Sequence, residues 1–236
     1  MAGFSGGSFA SCWGESWVIR ALFFDAGGTL LTPAEPVGRI YARLAQSRGW
    51  RAREEEMEKG FRAAWKKRRV EGLGSDGTLG REGWKRIVKE SAIGLGMPAD
   101  FAFEDYFSEV YDYFARPEAW QDFPEVDEVI RSVREKGIRV GMISNWDPRL
   151  RRVLGGFSWA GLLDPILISE ECGVEKPHVT LFRRAEEVSG LKAEECALVG
   201  DDPLSDRAGA EGAGWRCALV ERPYRGLWEA LEELGV

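Results

Sequence analysis

The chain has 236 residues, of which 44% are hydrophobic and 30% charged, and its formal net charge is −7. That length suffices for one large domain or two modest ones with a buried core, and the acidic balance argues against a general affinity for nucleic acid or an anionic membrane surface. No run approaches the roughly 18 apolar residues needed to span a bilayer. Four cysteines without a CxxC pair (Cys12, Cys172, Cys196, Cys217) point to neither a disulfide framework nor a zinc site, so a reducing cytoplasm is the expected compartment.

Residues 1–17 carry neither a basic start nor a sustained apolar stretch, which excludes a secretory signal. Their Gly and Ser content reads as a disordered leader, and the fold is expected to begin near Val18. Val18 to Phe24 is a short apolar run with one charge, Arg20, suited to a strand buried on both faces. Gly27 and Gly28 break it. From Val37 to about Gly49, residues Val37, Ile40, Tyr41, Leu44 and Ala45 share one helical face. Helical patterns continue to about Ala115: Met57, Phe61, Ala64 and Trp65 form a stripe, and Ile87, Val88, Ile93, Phe107 and Val110 add apolar content. No strand is expected between 36 and 115. A Gly-rich break begins at Gly72; the loop 72–80 is either a connector or a specificity loop over a site.

After Pro117 the rhythm changes. Helices are expected at 124–136, 147–155, 177–189, 204–213 and 226–234, alternating with strands at 138–143, 165–169, 196–200 and 216–220. Such alternation predicts an α/β fold with a doubly wound parallel sheet. The chain then divides into an α/β core, residues 18–33 and 118–236, and an all-helical insert at 36–115. In these sheets a ligand sits beyond the carboxyl ends of the strands, at the topological switch point.

The polar segments fall at those ends. Asp25 closes the first strand and is either a turn residue before Gly-Gly or a carboxylate placed to attack phosphorus; Thr29 either orients Asp25 or satisfies turn amides. Ser144 and Asn145 follow an apolar strand, where they can cap a helix or hold phosphate oxygens. Lys176 precedes Pro177, itself routine at a helix start. Asp201, Asp202 and Asp206 crowd six residues after a strand. Packed carboxylates repel, so one is raised in pKa or a cation is bound, and hard oxygen ligands suit Mg²⁺. Asp206 is alternatively a helix cap.

In order and spacing, FFDAGGTLL (23–31), GMISNW (141–146), EKP (175–177) and LVGDDPLSD (198–206) resemble the four motifs of the haloacid dehalogenase-like (HAD) hydrolase superfamily, in the subgroup with a helical cap between the first and second motifs. The resemblance covers nearly all of residues 18–236. It implies a Rossmann-like core, Asp25 as nucleophile and metal ligand, and the Gly27 carbonyl and the Asp201 carboxylate as further Mg²⁺ ligands. Ser144 and Asn145 would hold the phosphoryl group, with Thr29 on the substrate side. Lys176 would balance charge on Asp25 and phosphate, Asp206 would support the metal shell or Lys176, and Asp202 is a further candidate ligand. Gly27 departs from the pattern, because phosphatases of the superfamily usually carry there a second Asp that acts as general acid.

The implied function is a Mg²⁺-dependent phosphatase acting on a small phosphorylated metabolite through an aspartyl-phosphate. One alternative is a dehalogenase-like or phosphonatase-like hydrolase, since those branches also lack the second acid; Lys59, Lys66 and Lys67 are the cap lysines a phosphonatase would need. Another is a catalytically weak member that binds a phosphorylated ligand or a partner. No nucleic-acid or membrane partner is expected, and the sequence assigns no oligomeric state. The run Lys66-Lys67-Arg68-Arg69 reads as a solvated helix end rather than a steering patch. Trp65, Trp84, Trp120 and Trp146 read as core packing rather than cleft lining, and His178 as a helix-start residue without a catalytic task.

Overall fold

The computed structural model describes residues 18–71 and 79–236. The expected leader, residues 1–17, and most of the Gly-rich loop 72–80 lie outside the described residues.

In chain order, β1 (Ala21–Phe24) and β2 (Leu31–Pro33) precede four helices: α1 (Val37–Ser47), α2 (Glu54–Glu71), α3 (Gly80–Ser91) and α4 (Phe103–Tyr113). Strand β3 (Trp120–Asp122) follows, then α5 (Val126–Glu135), β4 (Arg139–Ser144), α6 (Arg149–Leu154), β5 (Ile166–Ile168) and the short α7 (Ser169–Cys172). Helix α8 (Val179–Ser189), β6 (Cys196–Gly200), α9 (Ala208–Gly212), β7 (Arg216–Leu219) and α10 (Leu227–Leu234) complete the chain.

Five strands form one parallel sheet in the order β5-β4-β1-β6-β7. Alternation along β1 divides its side chains between two layers. Leu22 and Phe24 join one apolar cluster with Val129 and Ile130 of α5, Leu150 of α6 and Leu231 of α10. Ala21 and Phe23 join another with Leu181 and Phe182 of α8 and Ala210 of α9. With helices on both faces every residue of β1 is fully buried, which is why the strand is a continuous apolar run. The amphipathic spacing of Val126, Val129, Ile130 and Val133 turns α5 onto the sheet, while Gly190, in the left-handed region at φ 69°, closes α8.

The sheet is wound in two directions from β1. Strands β4 and β5 lie to one side, and the chain then crosses to β6 and β7 on the other. The crevice at the carboxyl ends of β4, β1 and β6 is therefore the switch point where a ligand is expected.

The four helices between β2 and β3 have their own apolar cluster, including Tyr41, Trp50, Met57, Val88, Tyr106 and Phe107. Three features differ from the expectations above. First, β2 and β3 pair antiparallel, with Leu31 opposite Asp122 and Pro33 opposite Trp120; three-residue strands of mixed polarity leave no periodic signal. Second, residues 203–207 of the expected helix 204–213 form a π turn, and only Ala208–Gly212 is α-helical. Third, Ile93 is 74% exposed and adds nothing to the insert's core.

Candidate active site

Asp25 follows β1 directly, and its N–H bonds to Val199 O at 2.9 Å, extending the ladder to β6. The residue is nearly buried, at 7% exposure. The Oδ1 atom accepts from Ser144 Oγ at 3.1 Å and from Lys176 Nζ at 2.7 Å. Ser144 is the last residue of β4, so its hydroxyl arrives from the neighbouring strand.

Lys176 commits all three of its donors: to Asp25, to Asp206 Oδ1 at 2.6 Å and to Ile143 O at 2.8 Å. Burial favours the neutral amine, but Asp206 and Asp25 outweigh it and hold the ammonium's pKa above its usual value. The π turn presents Asp206 for this contact, a use common for π turns at functional sites. Its other oxygen, Oδ2, accepts from the backbone N–H groups of Asp201 and Asp202, each at 3.0 Å. Gly200 is needed beside it, because a Cβ there would stand 2.3 Å from that carboxylate. Asp206 is thus a brace for Lys176 and for the loop after β6 rather than a helix cap.

Asn145 is occupied differently from the expectation. Its side-chain amide donates to Lys176 O at 2.9 Å and accepts from Lys176 N at 2.7 Å. This closed pair ties the end of β4 to the lysine loop and commits one of the two amide N–H donors, leaving the second in a side chain that lines the cavity. Thr29 is fully buried and is not among the cavity-lining residues. Its expected substrate-side position is not met.

Asp25, Asp201 and Asp206 bring carboxylate oxygens within 4.8 Å of one another, an arrangement able to hold a metal ion. Three carboxylates face one ammonium, an excess of two negative charges when all are ionised. Burial and like charge raise two of the carboxyl pKa values. Burial first, and then Asp25 and Asp206, push Asp201 up from 3.8 to about 8. Burial, only partly offset by Lys176, pushes Asp25 up from 3.8 to about 6. Asp206 already accepts three hydrogen bonds, so Asp25 and Asp201 are the less committed carboxylates of the group. Gly28 fits this pair. It lies at φ 82°, and a Cβ would stand 2.6 Å from the Asp201 carboxylate, so only glycine is tolerated. Asp202 is not part of the group: burial works against its charge, but hydrogen bonds from Arg69 and the Leu204 N–H outweigh burial and lower its pKa.

Arg69 belongs to α2, as does Arg68, which contacts Glu175 at 2.5 Å. Arg69 reaches Asp202 at 2.6 Å. These two arginines are half-buried and join the insert to the residues next to Lys176 and Asp201; the expected solvated helix end fits only Lys66 and Lys67, which are exposed. The signal available in the sequence was a basic pair one turn beyond the Phe61–Trp65 stripe. His178 is exposed and caps α8 through a bond from the Thr180 N–H, without a contact to the site.

The carboxylates floor a cavity of about 350 Å³. Trp65 and Trp84 from the insert and Trp120 and Trp146 from the core line it with Phe61. The four tryptophans thus line the cleft rather than only filling a core.

Residues 19–214 match the haloacid dehalogenase-like hydrolase family. A human protein, haloacid dehalogenase-like hydrolase domain-containing protein 3, is 31% identical over 87% of this chain and 83% of its own length. The phosphoserine phosphatase of Thermus thermophilus is 35% identical over 48% of this chain and 46% of its own. Among solved structures, an L-2-haloacid dehalogenase superposes with a TM-score of 0.73 at 19% identity, covering 93% of this chain and all of the other. The chain belongs to the haloacid dehalogenase-like hydrolase family.

Proposed function

We propose that this hydrolase is a Mg²⁺-dependent phosphatase that acts on a small phosphorylated metabolite through an aspartyl-phosphate. The observation that carries the reading is the excess of carboxylate over ammonium at the switch point. With all three carboxylates ionised the site carries −2, a charge that a cation must offset before a phosphate dianion can sit beside it. Asp25, Asp201 and the Gly27 carbonyl would hold that ion, and when bound it offsets the repulsion between nucleophile and phosphate and polarises the phosphoryl oxygens.

Asp25 attacks phosphorus with Oδ2, while Lys176 and Ser144 fix Oδ1 and so fix the direction of attack. Lys176 also balances charge on the pentacoordinate phosphoryl group. The phosphatase relative named above is consistent with this chemistry. Gly27 favours a second reading, a dehalogenase attacking carbon, because expulsion of halide needs no proton donor.

Phosphate release from a panel of phosphorylated metabolites, with Mg²⁺ and with EDTA, separates the two. Turnover is expected only with Mg²⁺. Undiminished phosphate release in EDTA overturns the Mg²⁺ dependence, and halide release from 2-haloacids without phosphate release from the panel overturns the phosphatase reading.

A further inference from the structure

We infer that the leaving group is aromatic and that the substrate is an aryl phosphate, the phosphate ester of a phenol; this rests on the phosphatase reading above. Two independent observations meet at one point in the cavity.

The first is chemical. When Asp25 Oδ2 bonds to phosphorus, the electron pair of the broken phosphorus–oxygen bond passes to the departing oxygen. Position 27, which would supply a proton, is glycine. The oxygen leaves as an anion, and a phenol ring delocalises that charge whereas an alkyl group does not. A water oxygen then bonds to phosphorus, the bond to Asp25 breaks and regenerates the carboxylate, and the water's proton passes to the phenolate or to solvent.

The second is shape. The indole of Trp146 stands 3.5 Å from where a Cβ on residue 27 would lie, so an aromatic edge borders the space that an acid would use. Trp120 packs on Trp146 with ring centroids 4.7 Å apart. From the insert, Trp65 and Trp84 also line the cavity and stack on each other 5.5 Å apart and 6° from parallel. A cavity of about 350 Å³ lies within the range of ~300–1,000 Å³ used for small ligands, and flat aromatic walls favour an aromatic guest.

Charge argues against a second anionic group on the substrate. The cationic residues Arg68 and Arg69 line the cavity, yet each is already matched by a core carboxylate, Glu175 and Asp202 respectively.

The test uses the full-length enzyme and two pairs of probes. Benzoyl and acetyl phosphate have leaving groups of similar acidity, but only one carries a ring; phenyl and cyclohexyl phosphate share a six-membered ring, but only one is aromatic. The expected result is about tenfold or greater kcat/KM for benzoyl over acetyl phosphate, expressed mainly in KM, with phenyl phosphate hydrolysed well above cyclohexyl phosphate. Trp146→Leu should collapse the benzoyl preference. Trp65→Leu, at a half-exposed position, should reduce it in a variant with little risk of misfolding. Equal kcat/KM for benzoyl and acetyl phosphate, or a preference untouched by both substitutions, overturns the inference while leaving the phosphatase reading standing. Hydrolysis of none of the four by an enzyme that releases phosphate from the metabolite panel also overturns the inference alone, whereas release from neither set fails the phosphatase reading itself.

Discussion

Lys176 Nζ lies 2.6 Å from Asp206 Oδ1, and each of the two side chains is only 1% exposed. The pair joins the loop before α8 to the π turn before α9, so a break in it is felt in both the lysine loop and the loop after β6.

Asp206→Ala should therefore be costly. Removing one partner of a buried ion pair costs about 3–5 kcal/mol, and here the N–H groups of Asp201 and Asp202 also lose their acceptor. Asp25 still faces Lys176, which places the expected loss near the lower figure. Chemical denaturation of wild type and variant measures it; an unchanged midpoint would show that the pair contributes nothing.

Asp25→Asn should abolish turnover without lowering stability. The carboxylate's pKa is raised from 3.8 to about 6, with burial the largest cause, so at neutral pH its charge opposes folding. A neutral amide of the same shape removes that opposition. Activity in Mg²⁺ checks the first half, and melting temperature at pH 7.5 in EDTA the second. Residual turnover above a few per cent would assign the nucleophile elsewhere.

Metal and pH should act against each other. Asp201 rises from 3.8 to about 8 in the fold. A raised carboxyl binds its proton more tightly when folded, so its stabilising contribution is complete below the unfolded value and is lost as pH climbs through about 8. In EDTA the melting temperature should fall between pH 6 and 8.5. Mg²⁺ should restore it, and by more at pH 8.5 than at pH 6, because protons then compete less. Asp201→Asn should flatten the slope. An increment from Mg²⁺ that is equal at both pH values would count against this site as the metal site.

Gly27→Asp should restore a general acid. Its Cβ would meet only the Trp146 ring, at an ordinary 3.5 Å. A general acid contributes about 10²–10⁴-fold, so alkyl phosphates should gain most and the dependence of rate on leaving-group acidity should flatten. A dependence already flat in the natural protein would reveal an acid elsewhere.

The motif residues were legible because each follows a strand whose burial on both faces writes itself as an apolar run, Leu22 to Phe24 and Ala197 to Val199 above all. Their convergence followed from the alternation of strand and helix. What remained hidden was non-local. Arg68 and Arg69 look like a solvated basic end, since their partners Glu175 and Asp202 lie 107 and 133 positions away. Asn145 carries the residue type of a phosphate ligand, yet its amide matches the Lys176 backbone more closely, and no local pattern records that match. The half-buried aromatics Phe61 and Trp65 continue the same stripe as the buried Met57 and Ala64, so periodicity alone does not separate a wall from a core.

The short ladder between β2 and β3 fixes how the insert is attached. Its pairing from Leu31 to Pro33 is prolonged by the bond from Ala34 N to Ala119 O at 2.9 Å. The outgoing and returning chains are therefore one double-stranded stalk, not two separate tethers. A rotation of the four-helix unit about its attachment would fall on the residues beyond that stalk, around Glu35-Pro36 and Arg116-Pro117, and would have to part Arg68 from Glu175 and Arg69 from Asp202. Trp120, which belongs to the stalk and touches Trp146, is fixed to the catalytic floor, whereas Trp65 and Trp84 belong to α2 and α3 of the insert. Half of the aromatic enclosure is thus built on the floor of the sheet and half on the inserted helices.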